Sequence, residues 1–302
     1  MSSSKEDYLK YLNPSTVSKL SSFELKAKMI VEGFLLGLHK SPYHGFSIEF
    51  SQHRPYMQGD AIKDIDWKVY GKSDKFYVKQ YEEETNLKCH ILVDVSKSMG
   101  YKSTGQISKL EYASLLAASL SYLMLKQKDA VGLTLYSNKI IKTLPPKASN
   151  NYLKELLITL NNVEPLDTTN TSDALNTYAE NIKRKGIVIV ISDFFDEPEK
   201  VYSALKHFAF RKHEIIVFQI LDPLESNFAF DRDSIFIDLE TNEEMTTQPH
   251  QIQKAYQEAM KSFLSRLKNE CLNNSIEYNL IDTSMNFDKA LISYLQKRSR
   301  IY

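Results

Sequence analysis

Several things are scarce in this 302-residue chain. It has two cysteines, Cys89 and Cys271, far apart and in no C-x-x-C pair. That excludes a disulfide framework and a zinc ribbon, and we expect both to be small buried hydrophobes in a reducing compartment. Nine glycines and nine prolines exclude collagen-like and low-complexity architectures. Neither charge is in excess, since 38 Lys and Arg offset 38 Asp and Glu. A balanced chain is a poor candidate for binding nucleic acid by bulk phosphate attraction. Long hydrophobic runs are missing too. Leu115 to Leu125, the longest, is interrupted by Ser119 and Ser121 and is about half a membrane span. Met1-Ser2-Ser3-Ser4-Lys5-Glu6-Asp7 lacks the charged-then-apolar pattern of a secretory leader. The expectation is a soluble, cytoplasmic protein with no membrane insertion.

Enzyme signatures are also absent. There is no H-E-x-x-H, G-x-S-x-G or G-x-G-x-x-G. Gly100 to Gly105 has Walker-like spacing, but Gln106-Ile107 stands where Lys-Ser/Thr would cradle a phosphate. The seven histidines are scattered, and none falls in a metal-ligand pattern. No residue resembles a nucleophile activated by an adjacent base, so the expectation is a protein that is not an enzyme.

What is present is ordinary globular usage, 42% apolar and 25% charged, in a chain long enough to bury a sizeable core. Ser15 to Leu38 has the apolar spacing of one or two helices. Phe46 to Glu84 is dense in aromatic and charged residues with poor helical period, and predicts extended segments and loops. Its aromatic area, Trp67 with Phe46, Phe50, Tyr56, Tyr70, Phe76 and Tyr77, is too large to leave in water. We therefore expect residues 46–84 to pack on the rest, with Trp67 as a core anchor.

From Leu87 onward strand and helix patterns alternate. Cys89 to Val93 reads as a buried strand, and Leu110 to Leu123 as a helix. Ala130 to Tyr136 and Lys139 to Leu144 read as a hairpin around Ser137-Asn138. Ile187 to Ile191 is five branched apolar residues in a row, the mark of a central strand covered on both faces. Ile215 to Leu221, Ile235 to Leu239 and Ile276 to Ile281 are further strands, and Ile252 to Cys271 is one face of a long helix. Alternation of this kind predicts an α/β fold with a doubly wound, mostly parallel sheet. The division is residues 1–86, an N-terminal region packed on the sheet, and residues 87–302, the sheet domain.

In open parallel sheets ligands sit at the carboxyl ends of strands. Two such ends are polar here: Asp94-Val95-Ser96-Lys97-Ser98, a D-x-S-x-S run, and Ser192-Asp193. A third polar segment, Asp167-Thr168-Thr169-Asn170-Thr171, precedes a helix. Oxygen ligands without His or Cys select a hard cation such as Mg²⁺. A lone D-x-S can instead be no more than a helix cap. Asp60, Asp64 and Asp66 read as turn residues and ion-pair partners.

These motifs resemble the metal-ion-dependent adhesion site of von Willebrand factor type A domains. The resemblance assigns Asp94, Ser96, Ser98, Thr169 and Asp193 to a divalent cation, Mg²⁺. Thr169 is chosen because it stands six residues before Leu175, as in T-x-x-x-x-A-L. The usual Gly-Gly before that Thr is replaced by Asp167-Thr168, so Thr168 and Thr171 are alternatives. Ser96, Ser98 and Thr169 would bind directly, Asp94 and Asp193 directly or through water. Two carboxylates so placed should repel, and one should resist ionising.

Upstream, Gly59-Asp60, Ile65-Asp66-Trp67, Val78-Lys79 and Glu82-Glu83-Glu84 make the chain similar to the bacterial family called domain of unknown function fifty-eight. Tyr70-Gly71-Lys72 departs from the Ala-Arg pair of many members. The resemblance implies a metal-dependent protein-interaction module, an adaptor of a MoxR-type AAA ATPase or of its client protein. The rival reading is a Mg²⁺-dependent phosphohydrolase using the same acidic crevice, with Asp60 or His53 reaching in.

Overall fold

The computed structural model describes residues 13–20, 22–39, 54–56, 65, 67–78, 87–103, 107–166, 170–230, 234–237, 244–247 and 249–299. Among these residues the first elements are α1 (Pro14–Val17) and α2 (Phe23–His39). Then come β1 (Arg54–Pro55), α3 (Trp67–Ser73) and β2 (Tyr77–Val78). The core unit follows: β3 (Lys88–Asp94), a 3-10 turn (Lys97–Gly100), α4 (Lys109–Lys126), β4 (Ala130–Tyr136), β5 (Ile140–Lys147), α5 (Asn150–Asn161), α6 (Thr171–Asn181), β6 (Ile187–Ser192), α7 (Pro198–Phe210) and β7 (Glu214–Leu221). The remainder is α8 (Pro223–Asn227), β8 (Ser234–Ile237), β9 (Glu244–Thr247), α9 (Pro249–Asn273), β10 (Glu277–Asp282) and α10 (Asp288–Ser299).

Six strands form one sheet in the order β10-β7-β6-β3-β4-β5. All neighbours are parallel except β4 and β5, the hairpin read from the sequence. This is the expected α/β, doubly wound, mostly parallel architecture. Ile187–Ile191 lies inside it between β3 and β7, with every residue buried. Its continuous apolar character has a simple cause. Successive strand side chains point to opposite faces, and here both faces are covered. Ile187, Ile189 and Ile191 join a core shared with α4, α5 and α10. Val188 and Val190 join a second core under α6, α7 and α9.

Helix α4 is buried almost all round, as expected of a helix apolar on every side. Its far side is covered by the N-terminal helices, which bring Val17, Ala27, Ile30, Val31 and Phe34 into the same core. Lys26 of α2 reaches Glu111 of α4 at 3.6 Å. Ser119 and Ser121, which interrupt the longest apolar run, donate back to Leu115 and Ala117 carbonyls at 2.7 Å each. They satisfy their hydroxyls inside the helix. Both cysteines are buried, and burial pushes the Cys271 thiol up to about 12.

Two expectations need correcting. Trp67 is not a core anchor: it is 56% exposed. Residues 67–73 are helical, not extended, and this puts Trp67 and Tyr70 on one helix face. Trp67 packs edge-on against Tyr70, which stacks on Phe76 at 4.4 Å between centroids. Among the described residues these three rings contact one another while Trp67 and Phe76 stay exposed. The strand read at Ile235 to Leu239 is present as β8, which pairs with β9 in a hairpin of its own. Phe46, Phe50, His53, Asp60, Asp64, Asp66 and Glu82 to Glu84 lie outside the described residues.

Candidate functional site

Strands β3 and β6 are neighbours, but the helices that follow them leave on opposite faces, α4 into one core and α7 into the other. A crevice opens at the carboxyl ends of such a pair. Asp94 is the last residue of β3, and Ser192 the last of β6.

Asp94 is fully buried. Its Oδ1 accepts from the Ser96 backbone N–H at 2.9 Å, a link that turns the chain sharply out of β3. Its Oδ2 accepts from the Ser192 hydroxyl at 2.6 Å and faces the Thr171 hydroxyl at 3.5 Å. Burial first, and then the nearby Asp193 charge, push the Asp94 carboxyl up to about 7. The shift has the direction expected for neighbouring carboxylates, with burial the larger cause. Ser96 and Ser98 bring their hydroxyl oxygens to 3.1 Å of one another. Adjacent ligands on an octahedral Mg²⁺, each about 2.0–2.1 Å from the ion, are separated by about 3 Å, so this spacing suits two ligands of one hard cation. Among the described residues no group of three or more His, Cys, Asp or Glu could hold a metal. A cation here would depend on hydroxyls as much as on carboxylate.

The other half of the crevice has a different character. Asp193 follows β6 and is also fully buried. Its Oδ1 accepts from the Phe195 N–H at 3.1 Å, and its Oδ2 accepts from the Lys109 ammonium at 2.8 Å. Phe194 between them is buried and held at φ 59°, in the left-handed region. That conformation costs a bulky residue energy and marks sites where the surroundings dictate the backbone. Here the Ser192 hydroxyl accepting from Phe194 N–H at 2.8 Å helps to hold it.

Lys109 opens α4 directly after its cap, Ser108. Besides Asp193 it donates to Glu225 Oε1 at 2.6 Å, and its ammonium lies 4.9 Å from the centroid of the Phe195 ring. Glu225 is set by a capping box at α8, with its second oxygen accepting from Asp222 N–H at 2.9 Å. Burial alone would pull the Lys109 pKa down, but the Asp193 and Glu225 carboxylates outweigh it and raise it. Burial pushes the Glu225 carboxyl up, against the pull of Lys109. Asp222 in turn accepts from the Ser103 N–H at 2.8 Å.

The structure thus brings Asp94, Ser96 and Ser98 together and places Asp193 beside them in an ion pair. Thr169 and its alternative Thr168 lie outside the described residues; Thr171 sits beside Asp94. Sequence reasoning missed Lys109 and Glu225, and named Ser192 at its strand end without giving it a role. One signal was there for Lys109: a cation in the first turn of a helix opposes the macrodipole and needs a compensating anion.

A model of the family described as Protein of unknown function DUF58 matches residues 52–263. The chain belongs to this family. The DUF58 chain is 24% identical over 214 residues to Uncharacterized protein Rv1480 of Mycobacterium tuberculosis, covering 70% of this chain and 67% of the relative. The same figures hold for Uncharacterized protein Mb1516 of Mycobacterium bovis. Among solved structures it is similar to the conserved hypothetical protein BatB from Bacteroides thetaiotaomicron, at 18% identity and a TM-score of 0.49, over 71% of this chain and 98% of that one. It is similar too to an aerotolerance-related membrane protein from Bacteroides fragilis, at 20% identity and a TM-score of 0.49, over 70% and 99%. The SpRpn10 VWA domain matches at 12% identity and a TM-score of 0.39, over 69% and 94%.

Proposed function

We propose that this DUF58 protein is a non-enzymatic, Mg²⁺-dependent protein-interaction module acting in the cytoplasm. Asp94, Ser96 and Ser98, with a threonine of the segment before α6 (Thr169 by the family pattern) and Asp193 directly or through water, would hold the ion. When bound, the ion supplies a Lewis-acidic position that an Asp or Glu of a partner completes. Within the chain, the Asp94 carboxylate organises the Ser96 turn, and the hydroxyl pair gives neutral ligands that leave the ion net positive charge to offer that partner. The partner implied by the family resemblance is a MoxR-type AAA ATPase or its client.

The observation that carries this reading is the 3.1 Å convergence of the Ser96 and Ser98 hydroxyls beside buried Asp94. In support, Lys109, a cation that phosphate chemistry could have used, is buried and bound to two carboxylates. The test is affinity capture from a host lysate with tagged wild type and Ser96→Ala/Ser98→Ala. An AAA ATPase should be recovered by wild type in Mg²⁺, and lost in chelator or with the double variant. Recovery indifferent to both would separate the interface from the crevice. Turnover of a phosphatase panel with Mg²⁺ or Mn²⁺, lost in Asp94→Asn, would favour the hydrolase instead.

A further inference from the structure

Lys109 is the buried charge for which the interaction reading has no role. Its side chain is wholly inaccessible, and both its anionic contacts are short: 2.8 Å to Asp193 Oδ2 and 2.6 Å to Glu225 Oε1. Each carboxylate is also fixed by backbone. Asp193 Oδ1 takes the Phe195 N–H, and Glu225 Oε2 takes the Asp222 N–H. The aromatic ring of Phe195 lies near the ammonium, 4.9 Å away at the centroid, with that of Tyr101 at 6.0 Å. The lysine is built in, with no other place for its charge to go.

The two aspartates of the crevice are therefore not equivalent towards a cation. Asp94 is bonded by Ser192, Ser96 N–H and, at longer range, Thr171. Hydroxyls can rotate and present lone pairs in place of a proton, so Asp94 can turn to an ion without losing a charge partner. Asp193 cannot. A divalent ion touching its carboxylate would meet the ammonium as a like charge in a site shielded from water, where such repulsion is strong.

We propose that Lys109 is a positioning residue of the cation site: it withholds Asp193 from direct ligation, so that the ion rests on Asp94, Ser96 and Ser98. This deepens the cation-site reading and rests on it. One direct carboxylate leaves a doubly charged ion under-neutralised. The site then binds its ion weakly alone and firmly only when a partner's carboxylate joins, which couples cation and partner.

The test is calorimetric titration of MgCl₂ into the whole chain and its variants. Asp94→Asn, which removes a direct ligand, should weaken Mg²⁺ binding about tenfold or more, whereas Asp193→Asn, which keeps the bond from Phe195 N–H and leaves Lys109 paired with Glu225, should lose less than Asp94→Asn. Lys109→Met frees two carboxylates, and should bind about tenfold tighter or more. A loss in Asp193→Asn as large as that in Asp94→Asn or larger, or a smaller gain in Lys109→Met, overturns the proposal. Should Lys109→Met fail to fold, Lys109→Met/Glu225→Gln leaves one uncompensated carboxylate and carries the same expectation. Binding by the Lys109 variant alone would sink the native cation reading and uphold the exclusion by lysine. No binding by any of these proteins would overturn both.

Discussion

The Lys109 ammonium lies 2.8 Å from Asp193 Oδ2, and neither side chain is exposed to solvent. This pair joins the start of α4 to the end of β6, and through Glu225 to α8. It stands in the crevice that the adhesion-type motif would give to a metal.

Removing one partner of a buried pair leaves the other uncompensated and costs about 3–5 kcal/mol, whereas removing the whole set can be nearly neutral. In chelator, Lys109→Ala should lose stability on that scale in urea unfolding. The triple neutral variant Lys109→Met/Asp193→Asn/Glu225→Gln should recover most of the loss. A Lys109→Ala protein as stable as wild type would mean that the pair does not bear on the fold.

His90 gives a pH dependence. It is buried in β3, with Nδ1 3.0 Å from the Tyr178 hydroxyl and no hydrogen-bond partner at Nε2. Burial, then the charges of His213 and Lys88, lower it from 6.5 to about 4. A folded pKa below the unfolded one means that the unfolded chain takes up the proton first. This contribution to stability is whole above about pH 6.5 and lost as pH falls through about 4. It amounts to on the order of 3 kcal/mol. Denaturant unfolding of wild type and His90→Leu at pH 7 and at pH 4.5 should show a smaller acid loss in the variant. Equal losses would remove His90 as a cause.

Cys89 and Cys271 should resist alkylation by iodoacetamide in the native protein at pH 8 and react fully in denaturant. Both are buried, and the Cys271 thiol is held up near 12, so the reactive thiolate is scarce. Rapid native labelling of Cys271 would show that the second core opens around α9.

Gly186, just before β6, should not accept a side chain. A Cβ there would stand 2.1 Å from the Lys88 carbonyl oxygen of β3, and a backbone atom cannot swing away as a side chain can. Gly186→Ala should therefore destabilise the chain measurably in a thermal melt, and an unchanged melt would contradict this account of the β3–β6 entry.

Much of the sheet was legible because its signals are local. Ile187–Ile191 is apolar at every position since both faces of β6 are covered. The D-x-S-x-S run was legible as a polar strand end because the strand and the turn that follows it are adjacent in sequence. The Lys109 pair was not, since its carboxylates lie 84 and 116 residues away and only the sheet order brings them together. Trp67 misled because aromatic content predicts burial without saying where. A short helix that lets Trp67, Tyr70 and Phe76 cover one another met part of that demand locally.

Asp94→Ala would be a blunt probe, because it also strips the acceptor from Ser96 N–H and Ser192; Asp94→Asn keeps an acceptor and removes the charge. The most direct measurement is the melting of wild type and Asp94→Asn, each with Mg²⁺ and with chelator. The account predicts that Mg²⁺ at about a hundred times its dissociation constant stabilises wild type by about 2.7 kcal/mol and leaves Asp94→Asn unmoved. No shift in wild type, or the same shift in both, would contradict it.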